Sequence, residues 1–252
     1  MIQIIGLEQV PIIKENDNLA EIILTTLRQM QLTLEDNDIL VITQKIVSRA
    51  EGRLKDLKTV SPSKEAVRIA KIIDKDPRLI TLMLGESNGV LRTKVVDGIG
   101  KIIVEMKSGV VCADAGIDAS NTPTNFVTLL PVDSDKSAAA IRAEILQKTG
   151  KDVAVIISDS HGRPFRNAAV NVALGVAGIK EIKDYRGKID LFGYRLQKKQ
   201  MAIADELASA AELVMGEADE GNPIVLIRGY QYEEKVGKSQ GLIRSRDHDL
   251  FR

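Results

Sequence analysis

The sequence predicts an α+β protein in which mixed sheets are flanked by helices, and three features point there. Residues 153–158 (VAVIIS) and 38–43 (DILVIT) are near-continuous aliphatic runs, the pattern of strands covered on both faces. Apolar residues recur at helical spacing in several segments between such runs. Residues 101–106 and 110–113 flank Lys107-Ser108-Gly109, a short connection that suits a hairpin with a bulge at its turn. With 252 residues and 44% hydrophobic content, the chain can bury a substantial core. We read residues 1–252 as a single unit, with room for two intertwined α+β subdomains and no boundary between them in the sequence.

In order, residues 2–5 form a short strand, followed by an extended connection around Val10, Pro11 and Ile12. Asn18 and Glu21 open a helix whose apolar face is Leu19, Ile22, Ile23, Leu27 and Met30. Strand 38–43 runs directly into a polar, basic junction at residues 44–53. Ser61 as cap and Pro62 in the first turn start a helix that continues through Ile73, and residues 77–86 form another. After the hairpin, a helix over residues 137–149 stops at Gly150, and strand 153–158 follows. Asp159 is expected at the end of that strand, with Gly162 and Pro164 turning the chain. Residues 167–179 and 185–194 are small, polar and Gly-punctuated, and receive no assignment. A long amphipathic helix over residues 201–214 ends at Gly216, strand 223–228 follows, and residues 231–252 are either a tail or an arm that docks on a neighbour.

Composition excludes several classes of function. Lys+Arg and Asp+Glu number 35 each, so no net field draws the protein to nucleic acid or an anionic membrane. One cysteine, Cys112, precludes an internal disulfide, and no apolar run reaches the ~20 residues of a membrane span. A cytoplasmic protein is expected. Neither GxxxxGK[ST] nor GxGxxG occurs, which leaves P-loop and Rossmann nucleotide sites unsupported. Cys112, His161 and His248 have no zinc-site spacing, and Cys112 reads as a small core residue.

Three places share one design: an element ends, small residues follow, and a carboxylate is left at the tip. They are Asp118 in AGIDASN, Asp159 in SDSHGRPFR and Glu217 in MGEADEGN. Scattered acids of this kind suit a hard cation such as Mg²⁺ or Mn²⁺, held by one or two carboxylates together with water and phosphate. Each is equally a plain turn or cap residue, and spacing alone cannot bring them together. Lys45, Arg49, Arg53, Arg163 and Arg166 can hold a phosphate or a carboxylate, or be solvated surface charge. His161 is either a proton carrier or an exposed turn residue.

The strings TQKIVSRAEGR, CADAGIDASN, PVDSD, SDSHGRPFRNAAVNVALGVAG, DYRGKIDLFGYRL and ADELASAAELVMGEADEGNPIVLIRG, with the ending DLFR, occur in this order along nearly the whole chain. Together they closely resemble the coenzyme F420-0:L-glutamate ligase family. The resemblance implies a homodimer of unusual α+β fold that uses GTP and a divalent metal to add L-glutamate to the deazaflavin precursor F420-0. A second glutamate can then be joined through the γ-carboxylate of the first. Two Mg²⁺ or Mn²⁺ ions are expected, with K⁺ as a further candidate ion. Carried over residue by residue, Asp118, Asp159 and Glu217 match the family's metal-binding acids. Ser160 stands where the family commonly has Thr, and either hydroxyl supplies an oxygen ligand. Val10, Pro11, Ile12, Thr43, Gln44, Lys45, Arg49, Asn121, Met215, Gly216, Ala218, Asp219 and Glu220 match its GTP-contacting regions. Catalytic roles are expected for Asp118, Asp159, Arg163 and Arg166. The residues themselves leave two rivals open, a divalent-metal phosphohydrolase and a non-catalytic nucleotide-binding dimer.

Overall fold

The computed structural model describes residues 1–233 and 237–251; residues 234–236 and 252, within the predicted C-terminal stretch, lie outside the described residues. Its elements run β1 (Gln3–Gly6), α1 (Leu19–Gln29), β2 (Ile39–Thr43), α2 (Gln44–Ala50), β3 (Leu54–Asp56), α3 (Lys64–Ile73) and α4 (Pro77–Glu86). Then come β4 (Ser87–Val96), β5 (Ile99–Met106), β6 (Val111–Ala113), β7 (Phe126–Thr128), α5 (Ser134–Thr149), β8 (Ala154–Gly162) and β9 (Ala169–Ala177). The chain closes with β10 (Lys183–Asp184), β11 (Gln200–Met201), α6 (Ile203–Met215) and β12 (Ile224–Arg228). The fold is mixed α+β.

A five-stranded sheet, ordered β1-β12-β2-β8-β9, organises the molecule. Its central pair, β2 and β8, is parallel, and the other pairings are antiparallel. The aliphatic runs are central because both of their faces are covered. Leu40, Ile42, Val155, Ile157, Ile224 and Leu226 pack beneath α1 and α5, whereas Ile39, Val41, Ala154, Ile156, Val225 and Ile227 pack against α6. Successive side chains thus fill two separate cores, as strand geometry requires. Residues 54–130, between α2 and α5, build a third core in which α3 and α4 cover β5 through Ile69, Ile73, Ile80, Met83, Ile102 and Val104.

Local signals account for most element ends. The Asn18 side chain accepts from the backbone N–H of Glu21 at 2.9 Å, and Pro77 occupies the first turn of α4 behind an Asp76 cap. The cap of α3 is Ser63, not Ser61, so Pro62 stands before the helix; the Ser63 hydroxyl reaches the Ala66 N–H at 3.1 Å. Helix α5 begins at Ser134 with Asp133 as its cap, three residues earlier than its apolar periodicity suggests. The largest correction concerns β8. It does not stop at Asp159 but pairs with β9 as far as Gly162↔Ala169, with an irregularity between Ile157 and Ser158. Residues 231–233 and 237–251 do not project as a free tail. The Ser239 N–H donates to the Asp135 carboxylate at 3.0 Å, Arg246 pairs with Glu105 at 2.6 Å, and Phe251 lies 5.6 Å from Phe165. Among the described residues no helix is long and apolar enough to cross a membrane.

Candidate active site

Strand direction determines what meets at one edge of the sheet. Because β2 and β8 are parallel and β12 opposes β2, the exits of β2 and β8 share an edge with the entry to β12. Strand β1 opposes β12, which puts its exit there too. Four segments therefore converge: residues 7–13, the start of α2, Asp159 and Ser160, and residues 216–223. Ligands in sheets of this kind collect outside the carboxyl ends of parallel strands. A cavity of about 410 Å³ occupies that place, and a fifth segment, residues 118–121 of the inserted unit, closes it.

The cavity gathers residues far apart in sequence. Val10, Pro11 and Ile12 line one wall; Thr43, Lys45 and Arg49 come from the β2–α2 junction; Asp118 and Asn121 come from the insert. Asp159 and Ser160 come from β8, and Met215, Gly216, Glu217, Ala218, Asp219 and Glu220 from the end of α6 and the loop beyond it. Gln44 lies behind the wall, fully buried, accepting from the Ser48 hydroxyl at 2.9 Å and directing its amide toward Asp159 at 3.5 Å. Arg163 and Arg166 are not among the lining residues. Because β8 continues to Gly162, it carries the chain about 10 Å past Asp159 before either arginine is reached, and both sit in the turn to β9. Arg163 donates to the Asn167 carbonyl instead, and Arg166 is exposed. His161 also stays outside the cavity, half-buried, with burial pushing its imidazole down despite the opposing charge of Asp205. Burial, reinforced by Asp159, pushes the Cys112 thiol up to about 12, so it stays protonated.

Charge inside the cavity is arranged in opposition. Lys45 Nζ lies 2.7 Å from Asp118 Oδ2 and donates to Ser120 Oγ at 2.6 Å. Burial by itself would raise the Asp118 carboxyl, but Lys45 and the hydrogen bonds from Ser120 outweigh it and hold the group below the usual carboxylate range. Asp159 has no such cation against it. Burial first and the Asp118 charge second push its carboxyl up to about 7. Glu217 is likewise raised, by loss of water, by a hydrogen bond and charge from Glu212, and by Asp118. Arg49 donates to the Asn121 carbonyl, Asn121 Nδ2 donates to the Ala218 carbonyl at 3.0 Å, and Arg49 Nε is buried without a partner.

This donor set fits hard divalent cations. It offers carboxylate and hydroxyl oxygens, and two of its acids have raised pKa values that a cation would reverse. Among the described residues no three His, Cys, Asp or Glu side chains converge into a complete cage. One polar lining residue, Asn171, escaped the sequence reading. Asn171, 6% exposed on β9 opposite Ser160, lines the cavity, and its N–H donates to Glu212 Oε2 at 2.8 Å. The available signal was an Asn on the inward positions of an alternating stretch, VNVAL, hidden by its glycine-interrupted surroundings.

Fold and cavity define a mixed α+β protein with an acid-lined, cation-flanked cleft at the carboxyl ends of its parallel strands. The model of the F420-0:gamma-glutamyl ligase family matches residues 8–229. Coenzyme F420:L-glutamate ligase of Methanothermobacter thermautotrophicus is 46% identical, covering 100% of this chain and 99% of its own. The enzymes of that name from Methanocaldococcus jannaschii and Archaeoglobus fulgidus are 46% and 39% identical, covering all of this chain and 97% and 96% of theirs. The chain belongs to the F420-0:gamma-glutamyl ligase family.

Proposed function

We propose that this protein is a GTP- and divalent-metal-dependent amide ligase that joins L-glutamate to coenzyme F420-0, and a further glutamate through the γ-carboxylate of the first. Family membership and the names of the relatives support the ligase activity and its two substrates. The observation that carries the GTP and metal reading is the convergence of Asp118, Asp159 and Glu217 with Lys45 and Arg49 around one cavity.

A carboxylate is a poor acyl donor and must be activated. In the proposed reaction an oxygen of the F420-0 carboxylate attacks the γ-phosphorus of GTP, the bond to the β-phosphate oxygen breaks, and GDP leaves. The neutral glutamate amine then attacks the acyl carbon, the carbon–oxygen bond breaks with its electron pair leaving on phosphate, and the proton lost from nitrogen passes to the phosphate released. Asp118, Asp159, Glu217 and the Ser160 hydroxyl would hold Mg²⁺ or Mn²⁺, which when bound neutralises phosphate charge and orients the transferring group. Lys45 and Arg49, one turn apart on α2, supply fixed positive charge on the same wall. Gln44, held by Ser48, orients Asp159 from behind. Arg163 and Arg166 receive no step, since neither lines the cavity.

Incubation with F420-0, L-glutamate and GTP, read by mass spectrometry, tests the reading. We expect products heavier by one or two glutamyl units, dependent on GTP and on divalent metal. GTP hydrolysis that ignores both acceptor and glutamate would instead identify a phosphohydrolase. Asp159→Asn should lower ligation by about 100-fold or more while leaving the fold intact. Metal-dependent turnover retained by that variant would remove Asp159 from the scheme.

A further inference from the structure

The ion pair between Lys45 and Asp118 joins α2 of the sheet-centred body to the inserted unit. Both groups line the cavity and both are substantially withdrawn from water, the Lys45 side chain being 19% exposed and that of Asp118 35%. Asp118 is fully engaged. One oxygen receives Lys45 and the Ser120 hydroxyl, and the other receives the Ser120 N–H at 2.6 Å. The adjoining turn is tied down by Arg49 at the Asn121 carbonyl and by Asn121 at the Ala218 carbonyl. Asp159, by contrast, makes no ion pair among the described residues; it has the Ser160 backbone N–H, the long 3.5 Å approach of the Gln44 amide and the more distant charge of Lys45. The acids around the cavity therefore differ: Lys45 is in contact with Asp118 and acts on Asp159 only at a distance.

We propose that Lys45 is a built-in counterion that competes with the divalent cation for Asp118 and is drawn off by the polyphosphate of the nucleotide, so that metal and nucleotide bind cooperatively. The inference rests on the reading that Asp118 is a metal ligand. A cation approaching Asp118 must displace an ammonium 2.7 Å away and tolerate its repulsion. An anionic phosphate entering the cavity offers that ammonium an alternative partner, and the freed carboxylate oxygen then becomes available to metal. The device lowers occupancy by free metal and couples each ligand to the other with equal free energy, as linkage requires. No covalent step is involved.

The test is Mn²⁺ binding to the full-length, nucleotide-free protein, followed by electron paramagnetic resonance of the free ion. Lys45→Met should bind Mn²⁺ roughly fivefold more tightly than the unaltered protein or better, a gain of the size that removing a partly exposed ion pair predicts. Adding Asp118→Asn should cancel that gain. Lys45→Met binding no tighter than the unaltered protein overturns the proposal, whereas absence of Mn²⁺ binding in every variant overturns the metal reading beneath it. A measurement on the unaltered sequence guards against a variant that fails to fold. Acetylation of Lys45 by acetic anhydride, quantified by peptide mass spectrometry, should be slow without metal and severalfold faster with saturating Mn²⁺ alone. An unchanged rate at saturating Mn²⁺ overturns the proposal.

Discussion

Asp159 shows how environment gives one residue its chemistry. Its side chain stands at the edge where β2 and β8 stop pairing, after Thr43↔Ser158, and it lines the cavity with Ser160. Burial and the charge of Asp118 lift its pKa to about 7 from an unfolded value of about 3.8. Between those values the folded state holds a proton that the unfolded state has lost. The metal-free protein therefore loses stability as pH rises from about 4 through about 7, and the contribution is gone above that. Asp159→Asn has no charge to bury, so in the presence of a chelator its Tm should match the unaltered protein near pH 4 and exceed it by roughly 5 °C near pH 8. Thermal scans across that range check the sign, and a variant less stable than the parent at pH 8 would contradict the assignment of cause. The candidacy of Asp159, which lines the cavity, was readable from the abrupt end of an aliphatic run. Its raised pKa was not, because that depends on Asp118, 41 residues earlier and on another unit of the fold.

At the scale of elements, what the sequence disclosed was what local chemistry dictates. Strands β2, β8 and β12 were legible as aliphatic runs, and α1, α4 and α6 as periodic segments with caps or breakers. Strand β9 was not, since Gly175 and the small residues around it leave residues 167–179 without an assignment; yet Gly175 is small because a Cβ there would lie 2.3 Å from the Ser134 carbonyl oxygen. Close approach of β9 to the start of α5 is a tertiary reason, invisible in the string. Strand β4 was missed because its exposed, polar residues show little burial pattern. The loop after α6 combines both kinds of signal. Gly216 was expected as the helix breaker, and its φ of +69° is the reason a side chain there is strained; a Cβ would also lie 2.0 Å from the Glu220 carboxyl carbon, the movable end of a flexible side chain. Gly216→Ala should displace Glu220 and the 216–221 segment against the cavity, costing about 1–3 kcal/mol locally. Steady-state kinetics should show KM for GTP raised severalfold with kcat less affected, and an unchanged KM would argue that this loop does not contact the nucleotide.

For the molecule as a whole, the distribution of apolar surface is uneven. Three cores bury the aliphatic faces of the five-stranded sheet and its helices, and the connection between β10 and β11 leaves Leu191 99%, Phe192 96% and Ile189 62% exposed. The segment is ordered by its own contacts: Asp190 Oδ1 accepts from the N–H groups of Phe192 and Tyr194 at 2.9 Å each, and Ile189 bridges to Arg195. A rigid loop that presents consecutive large apolar side chains to water pays for itself only if something covers them. A homodimer, which the family resemblance implies, would cover them with a second copy of the same chain, in the two-fold, self-complementary contact that is the commonest arrangement. Sedimentation should therefore give a mass near twice the 27.5 kDa of one chain. The double substitution Leu191→Asp and Phe192→Ser should shift the equilibrium toward monomer by at least about 100-fold in Kd, because two buried anchors are lost and a charge is introduced. A monomer at every concentration in the unaltered protein would show that these side chains serve another purpose. A dimer unaffected by the substitutions would place its interface on a different face.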